Sequence, residues 1–258
     1  MYQEERIYEI LKMLKDKKTL SIHEIISIFE ISRDTARRDI VKLVNEGLAL
    51  RTHGGIAIPE FQTEIYSYKK RIPENIEIKS LLAEKAAMYI ENKKICFLDV
   101  STTIEGMCTY IPENIHVYTH SLDNMDRLSE KQCAVHIFGG TLNKENRFFY
   151  GNDTLEQIKR VHFDAVFLGG AAIHSDGVYV EDNEDAAIKN IVSQRADFVC
   201  VLVDNSKFFK KSHFKGIEFE NIDMIMTNGD IPKEIAGKIE KYGIEIRIVH
   251  IGGKDEKI

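Results

Sequence analysis

From residue 76 onward, short apolar runs alternate with segments of helical periodicity. Runs that are apolar throughout, rather than at every second position, are typical of strands buried on both faces. Parallel strands need connections long enough for a helix, and the spacing of the runs provides it. The pattern therefore predicts an α/β unit with a largely parallel sheet covered by helices on both faces. The predicted strands are residues 95–99, 115–119, 134–138, 164–168, 198–204, 224–227 and 245–250, and the predicted helices lie near residues 76–92, 102–110, 152–161, 183–196 and 232–242.

Composition supports a folded protein of more than one domain. The 258 residues are 43% hydrophobic and 29% charged, which is enough to bury a sizeable core, and the length exceeds that of one typical domain. The acidic first residues and the lack of a long uncharged apolar stretch predict a cytoplasmic protein without a membrane segment. The four cysteines are far apart and the histidines form no ligand array, so we expect reduced, mostly buried thiols, no metal site and no cofactor.

The first sixty residues predict three short helices. Apolar residues recur at helical spacing in each of them. Ser21 and Glu24 form a capping box, Ser32 caps the third helix, and Gly47 ends it. Only Glu30 and Ile31 separate the second and third helices, which forces a sharp turn. The predicted apolar faces are Ile7, Ile10, Leu11 and Leu14; Ile22, Ile25, Ile26 and Phe29; and Ala36, Ile40, Leu43 and Val44.

The outer face of the third helix is basic, although the net charge of the protein is −6. A helix N-terminus beside hydroxyls and adjacent guanidinium groups suits phosphate contact and base reading in a major groove. Residues 48–56 form two strand-like runs around a Gly-Gly turn, a wing that would bring Arg51 and His53 to the DNA backbone. The alternative is a small helical dimerisation unit whose charged face is merely solvated. The predicted DNA-binding residues are Ser32, Arg33, Thr35, Arg37, Arg38, Arg51 and His53.

Two stretches, residues 31–40 (ISRDTARRDI) and 47–55 (GLALRTHGG), resemble the signature of the DeoR/GlpR family of bacterial transcription regulators. The family pattern is V-S-x-x-T-I-R-R-D-L and then G-x-[LA]-x-R-x-H-G-G, and Ala36 replaces the usual Ile. The resemblance implies that Ser32, Thr35, Arg37 and Arg38 read double-stranded operator DNA, and that the protein represses transcription. Since one winged module buries too little surface for high specificity, we expect at least a homodimer.

Residues 59–75 are polar, contain two prolines and several tyrosines, and lack sustained periodicity. They indicate a linker. The predicted domains are therefore a winged helix-turn-helix domain at residues 1–58 and an α/β effector domain at residues 76–258.

Small, hydroxyl and charged residues follow the predicted strands. In parallel sheets, ligands bind beyond the carboxyl ends of the strands. Hydroxyls, glycine amides, a helix N-terminus and one lysine at a single edge suit a phosphorylated ligand, and carboxylates there would accept hydrogen bonds from sugar hydroxyls. Each residue also has a structural explanation as a cap, a turn or a surface charge. The predicted effector-binding residues are Asp99, Ser101, Thr102, Thr103, Thr119, His120, Ser121, Gly139, Gly140, Gly169, Gly170, Asp204 and Lys207.

The family resemblance extends into this half of the chain. Residues 99–103 (DVSTT) resemble the family's D-x-G-T-T, residues 119–121 (THS) its T-N-S, and residues 204–208 (DNSKF) its D-x-S-K-F. The resemblance implies an effector domain similar to ribose-5-phosphate isomerase that senses phosphorylated sugars or polyols. Ser101 replaces the usual Gly and His120 the usual Asn, and both substitutions bear on which sugar is recognised.

An enzyme that isomerises sugar phosphates is the main alternative function. Such an enzyme needs a general base near the substrate carbon and a group that stabilises the enediolate. In the resembling isomerase, an acidic segment follows the strand equivalent to residues 164–168. Here no carboxylate lies between that strand and Asp176, and His174 is the one titratable side chain before it, so we predict no catalytic residues. A scaffold protein is the third class of function considered, but a scaffolding role would explain neither the basic face of the third helix nor the polar residues after the strands.

Overall fold

The computed structural model describes residues 3–17, 19–45, 48–52, 54–57, 68–229, 231–250 and 256–257. Its contacts divide the chain into two units, residues 1–64 and 65–258. Gly47, His53 and the first part of the predicted linker, residues 59–67, lie outside the described residues.

The first unit is a winged helix-turn-helix. Its helices are α1 (Gln3–Lys17), α2 (Ile22–Phe29) and α3 (Arg33–Asn45), and its strands are β1 (Thr19–Ser21), β2 (Leu50–Thr52) and β3 (Gly55–Ala57). The antiparallel sheet has the order β1-β3-β2, so the predicted wing pairs with a third strand that the sequence did not reveal. The predicted helix faces meet in one small core, which includes Ile10, Leu14, Ile25, Ala36 and Leu43.

Local signals in the sequence set the helix ends of this unit. The capping box is present: the amide of Glu24 donates to Ser21 Oγ at 3.1 Å, and the amide of Ser21 donates to Glu24 Oε2 at 2.8 Å. Helix α2 ends at Phe29, and the next residue, Glu30, has a φ of 51° that turns the chain sharply toward α3. Gly55 must lack a side chain because a Cβ there would lie 2.1 Å from the carbonyl oxygen of Leu20.

The second unit is an α/β fold. In chain order its elements are α4 (Tyr68–Arg71), α5 (Ile76–Ala87), β4 (Ile95–Leu98), α6 (Ile104–Met107), β5 (His116–Thr119), α7 (Leu122–Leu128), β6 (Ala134–Ile137), β7 (Thr141–Asn143), β8 (Phe148–Tyr150), α8 (Asn152–Ile158), β9 (Ala165–Gly169), β10 (Ala172–His174), β11 (Gly177–Val180), α9 (Asn183–Ser193), β12 (Val199–Leu202), β13 (Phe214–Glu218), β14 (Met224–Thr227), α10 (Lys233–Lys241), β15 (Glu245–Ile248) and β16 (Glu256–Lys257).

The main sheet has the order β16-β15-β14-β12-β9-β4-β5-β6. All of its neighbouring pairs are parallel except β15 with β16, so the predicted parallel sheet is confirmed. Phe97, Val166 and Leu168 belong to one hydrophobic cluster, whereas Leu98 and Phe167 belong to another. Because successive side chains of a strand point to opposite faces, the two clusters cover the two faces of the sheet.

Several small elements of this unit were not predicted. They include the β7–β8 hairpin, the antiparallel sheet β10-β11-β13, and helix α7, which Ser121 caps. Part of the segment predicted as linker is also structured, since residues 68–71 form α4. Tyr68 is fully buried, and its hydroxyl donates to Glu105 Oε2 at 2.9 Å. A buried tyrosine with a hydroxyl partner packs like a core residue, so residues 68–75 belong structurally to the second unit.

All four cysteines are free and buried, as predicted. In the described part of the chain, no helix has the length and apolar character that a membrane span requires.

Candidate DNA-binding surface and effector site

Helix α3 presents a basic face to solvent. Arg33, Arg37 and Arg38 are exposed, whereas Ala36 and Ile40 on the opposite side are buried. Side chains three and four positions apart share a helix face, so the apolar spacing that buries one side leaves the arginines on the other. The structure therefore places the predicted arginines where a DNA groove could reach them.

Ser32 and Thr35 cap this helix. The amide of Thr35 donates to Ser32 Oγ at 3.2 Å, and the two hydroxyls lie 2.9 Å apart. Both hydroxyls are at the N-terminus of α3, where unpaired amides and the helix dipole favour a phosphate. Arg51 is exposed on β2, while the position of His53 in the wing is not described.

A buried ion pair holds α3 against α1. Arg6 Nε donates to Asp39 Oδ2 at 2.6 Å and Arg6 Nη2 to Asp39 Oδ1 at 3.1 Å, while Gln3 Nε2 donates to the same Oδ1 at 2.9 Å. Asp39 is one of the acidic residues of the DNA-binding segment, yet it faces the core and not the solvent.

A cavity of about 250 Å³ opens at the carboxyl ends of β4 and β9 in the second unit. Three of the predicted effector residues line it: Ser101, Gly169 and Gly170. Gly169 is needed there because a Cβ would lie 2.6 Å from Ser101 Cβ. The remaining lining residues are Arg71, Val100, Glu145, Asn146, Phe148, Ala171, Val180, Glu181, Asp182, Asp185 and Lys189.

Asp99, Asp185 and Lys189 form a buried network at this cavity. Lys189 Nζ donates to Asp185 Oδ1 at 2.8 Å and also to Asp99 Oδ2, which accepts from the amide of Gly169 at 2.8 Å. Although burial disfavours the charge, Asp185 and Asp99 raise the pKa of Lys189. Burial raises the pKa of Asp185 to about 6, against the opposing effect of Lys189.

His120 is completely buried beside this network. Its Nε2 lies 3.9 Å from both Asp99 Oδ1 and Asp185 Oδ1, too far for hydrogen bonds, and neither ring nitrogen has a partner among the described residues. Burial and the charge of Lys189 hold the pKa of His120 well below its ordinary value. Among the described residues, Asp99, His120 and Asp185 have the spacing of a metal site, but Lys189 already supplies the positive charge between the two carboxylates.

Thr119 and Ser121 do not line the cavity. The hydroxyl of Thr119 donates to the carbonyl of Leu98 at 2.6 Å, and Ser121 Oγ accepts from the amide of Asn124 at 3.2 Å. Both residues are fully buried. The Thr119 contact holds the ends of β4 and β5 together, whereas the Ser121 contact caps helix α7.

Gly139 and Gly140 also lie away from the cavity lining. A Cβ on Gly140 would lie 2.4 Å from the carbonyl oxygen of Tyr150, and Thr154 Oγ1 donates to the carbonyl of Gly139 at 2.7 Å. The lack of a side chain at Gly140 therefore permits the chain just before β7 to approach Tyr150 of β8 closely, whereas a Cβ on Gly139 would meet no atom within 4 Å.

Thr102 and Thr103 precede a helix that is shorter than predicted. Helix α6 has four residues and continues as a 3₁₀ turn, and the amide of Thr103 is already bonded to Ser101 Oγ at 3.2 Å. Neither threonine lines the cavity. The helix N-terminus predicted as a phosphate site is thus one short turn, in which the peptide dipoles sum to little.

Asp204 and Lys207 lie at the start of the 3₁₀ helix Asn205–Phe209 and do not line the cavity either. Lys207 Nζ is 3.9 Å from Asp204 Oδ2. Burial opposes ionisation of Asp204, but Lys207 and hydrogen bonds from Ser206 still lower its pKa.

The sequence interpretation missed several residues of the site. Asp182 and Asp185 were not among the predicted effector-binding residues, but both line the cavity, where Asp185 is buried and Asp182 is half-buried. The sequence signal that indicates this pair is the i, i+4 spacing of Asp185 and Lys189 on α9, which places the two side chains on the same helix face. Arg71 was not predicted because it lies in the segment that the sequence indicated as a linker.

The fold and the two sites define a class: a winged helix-turn-helix protein with an α/β ligand-binding unit. Comparison with known families gives the same result, since the DeoR-like helix-turn-helix domain matches residues 6–62 and the DeoR C-terminal sensor domain matches residues 74–229. The chain belongs to the DeoR family of DNA-binding transcription regulators.

Named relatives match over nearly the whole chain. The HTH-type transcriptional repressor GlcR of Bacillus subtilis is 32% identical over 99% of this chain and 100% of its own length. The glycerol-3-phosphate regulon repressor of Escherichia coli K12 is 26% identical over 96% of this chain and 100% of its own. Ribose 5-phosphate isomerase A from Neisseria gonorrhoeae has a TM-score of 0.37 at 16% identity, covering 53% of this chain and 54% of that one, a likeness that carries no functional argument.

Proposed function

We propose that this protein is a cytoplasmic, homo-oligomeric repressor of sugar-metabolism genes whose operator affinity is controlled by a phosphorylated sugar or polyol. The observation that carries the proposal is the cavity at the carboxyl ends of β4 and β9, in the same chain as an exposed basic recognition helix. The relative named for the glycerol-3-phosphate regulon supports a small phosphorylated effector.

The chemistry of the cavity suits such a ligand. Asp182 and Asp185 offer carboxylate oxygens to sugar hydroxyls, and Asn146 offers an amide close by. Asn146 Nδ2 already donates to Asp182 Oδ2 at 2.6 Å, so the hydroxyl acceptors are oriented before a ligand arrives. Arg71 and Lys189 contribute positive charge to the same lining.

The same geometry favours binding over turnover. Lys189 holds both Asp99 and Asp185, and a carboxylate paired in this way is a poor general base. His120 is neutral, fully enclosed and outside the lining of the cavity. We therefore propose a sensor without isomerase activity.

The test measures operator binding by gel shift on the DNA upstream of the protein's own gene, with a panel of phosphorylated sugars and their unphosphorylated parents. One phosphorylated compound should change operator affinity some 5–150-fold, which corresponds to a coupling of about 1–3 kcal/mol, and its parent should be far weaker. Lys207→Ala should lose the response and keep effector-free DNA binding, whereas the exposed neighbour Lys211→Ala should respond as the wild type. A parent sugar as effective as its phosphate would contradict the proposal, whereas a normal response of Lys207→Ala would show that Lys207 does not take part in effector binding.

A further inference from the structure

The side chain of Asn146 is hydrogen-bonded at both of its ends. Its Nδ2 donates to Asp182 Oδ2 at 2.6 Å, and its Oδ1 accepts from the backbone amide of Tyr68 at 3.2 Å. Since a backbone amide can only donate, the side-chain oxygen must face Tyr68 and the nitrogen must face Asp182. Asn146 and Asp182 line the cavity, whereas Tyr68 does not. The side chain of Asn146 therefore connects the cavity to a residue outside its lining.

Tyr68 is the first described residue of the second unit, and it begins helix α4. The first amides of a helix have no carbonyl partner within the helix, so they need an acceptor from elsewhere. Tyr68 is fully buried, and a buried amide without an acceptor costs free energy. Asn146, seventy-eight positions away in the sequence, supplies the acceptor. A residue of the cavity thus holds the start of the segment that follows the DNA-binding unit in the chain.

The β7–β8 turn fixes the backbone of Asn146. Asn143 Oδ1 accepts from the amides of Glu145 and Asn146, at 3.1 Å and 2.9 Å. The amide of Arg147 donates to the carbonyl of Asn143 at 2.7 Å, and the Arg147 side chain pairs with Asp123, also at 2.7 Å. Because these contacts fix its backbone, Asn146 can respond to the content of the cavity only through its side chain.

Asn146 and Asp182 keep hydrogen-bonding capacity for a ligand. The Nδ2 group of Asn146 carries two hydrogens, and among the described residues only Asp182 accepts from it. Asp182 accepts one further bond, from Asn143 Nδ2 at 3.3 Å. Burial and then the charge of Asp185 raise the pKa of Asp182, so this carboxylate is incompletely solvated and gains from another donor. A sugar hydroxyl is both donor and acceptor, so one hydroxyl can bind Asp182 and Asn146 together.

We propose that Asn146 is the positioning residue that couples the cavity to residues 68–71. A hydroxyl of the bound sugar donates to Asp182 and accepts the second N–H of Asn146, and this contact strengthens the bond between Asn146 and the Tyr68 amide. Hydrogen bonds in a chain polarise one another, and the bound hydroxyl also restricts rotation of the Asn146 side chain. Occupancy of the cavity therefore tightens the start of the effector unit. This step rests on the proposed function, and it makes a hydroxyl, not the phosphate, the group that is sensed.

A second route joins the same two places. Asp182 is one of the carboxylates whose charge acts on Arg71, the last residue of α4. Replacing Asp182 alone would therefore not distinguish the hydrogen-bonded route from the effect of charge. Replacing Asp182 in a chain that lacks the Asn146 side chain does distinguish them, because only the charge acts there.

The first experiment uses the full-length protein without a ligand and follows hydrogen exchange of the Tyr68 amide. Asn146→Ala should speed exchange about fivefold, the factor for a lost hydrogen bond worth about 1 kcal/mol. Asp182→Ala should speed exchange in the otherwise unchanged protein and much less in the Asn146→Ala protein. Lys144→Ala, at an exposed position of the same turn, should exchange as the wild type does. Unchanged exchange in Asn146→Ala, or equal effects of Asp182→Ala in the two proteins, would overturn the proposal.

The second experiment adds ribose 5-phosphate, glucose 6-phosphate or glycerol 3-phosphate, with inorganic phosphate as the probe that lacks a sugar hydroxyl. The compound that shifts operator affinity should slow exchange of the Tyr68 amide, and inorganic phosphate should not. Asn146→Asp keeps an acceptor for Tyr68 but has no N–H to donate, so it should stay protected without a ligand and lose both effects. Tyr68→Phe removes the hydroxyl contact with Glu105 and keeps the backbone amide, so it should respond normally. A normal operator response of Asn146→Asp would contradict the role of Asn146.

Failure of this coupling and failure of the proposed function give different results. If the effect of Asp182→Ala on exchange depends on Asn146 while no compound changes operator affinity, the coupling stands and the sensor function fails. If a compound controls operator affinity equally well in the wild type, Asn146→Asp and Asn146→Ala, the sensor function stands and the coupling through Asn146 fails.

Discussion

Arg6 Nε donates a 2.6 Å hydrogen bond to Asp39 Oδ2, and both side chains are buried in the N-terminal unit. The pair joins the first helix to the recognition helix. Because Asp39 lies on the same helix as Arg37 and Arg38, this contact fixes how the exposed arginines are presented. The DNA-binding surface therefore depends on a residue that does not face DNA.

Replacing Asp39 by Ala should destabilise the N-terminal unit by about 3–5 kcal/mol, because Arg6 would remain buried without its counter-charge. Denaturant unfolding of the full-length protein, followed through the transition of this unit, measures the loss. Asp34→Ala, at an exposed position of the same helix, should change stability by no more than about 0.5 kcal/mol. Equal stability of the two variants would show that the buried pair contributes nothing.

Replacing Arg37 or Arg38 by Ala should weaken operator binding by about 1–3 kcal/mol, since each guanidinium can form a bidentate contact with guanine or phosphate. Where the lost contact is to phosphate, the dependence of affinity on salt should also flatten. Affinity titrations at several salt concentrations distinguish the two cases. The control is Lys12→Ala, a substitution at an exposed position of α1. Unchanged operator affinity and salt dependence in folded arginine variants would show that α3 does not contact DNA.

Replacing Lys189 by Met should be strongly destabilising at pH 7, by about 3–5 kcal/mol, because Asp99 and Asp185 would be buried without a cation. The loss should shrink as the pH falls, since protonation neutralises the carboxylates. Urea unfolding between pH 4 and pH 7 tests this. A loss that is constant over this range would mean that the cost comes from packing and not from charge.

In the wild type, Asp185 should make stability fall as the pH rises from about 4 to about 6. Its folded pKa, raised to about 6 chiefly by burial, means that the folded protein keeps a proton that the unfolded chain has already released. Asp185→Asn removes this group and should flatten that part of the curve. If the wild type and Asp185→Asn have parallel stability curves, the Asp185 proton is not linked to folding.

The protein should not interconvert aldose and ketose phosphates, because Lys189 engages Asp185 and Asn146 donates to Asp182 at the cavity, and the segment after β9 contains no acidic residue before Asp176. Asp176 itself accepts hydrogen bonds from Tyr179 and Lys215. Incubation with ribose 5-phosphate at concentrations suited to a true isomerase measures any conversion. Turnover that disappears in His174→Ala, Asp176→Ala or Asp185→Asn would establish an enzyme.

The sequence by itself determined the elements whose signals are local. The Ser21–Glu24 capping box, the helical spacing of Ile10 and Leu14, and the apolar strand at residues 165–169 each depend on neighbours within a few positions, so their structures followed from the residue order. The exposed face of α3 followed as well, because burying one side of a helix exposes the other.

Only the tertiary structure decided which distant residues meet. Lys189 reaches Asp99 across ninety positions of sequence, and Lys189 and Asp185 line the cavity as a buried pair. Arg71 lay in a segment without periodicity, yet it lines the same cavity as Lys189. The energy of a charge pair depends on its burial, so the pairing of Lys189 does not exist until the folded sheet brings these residues together.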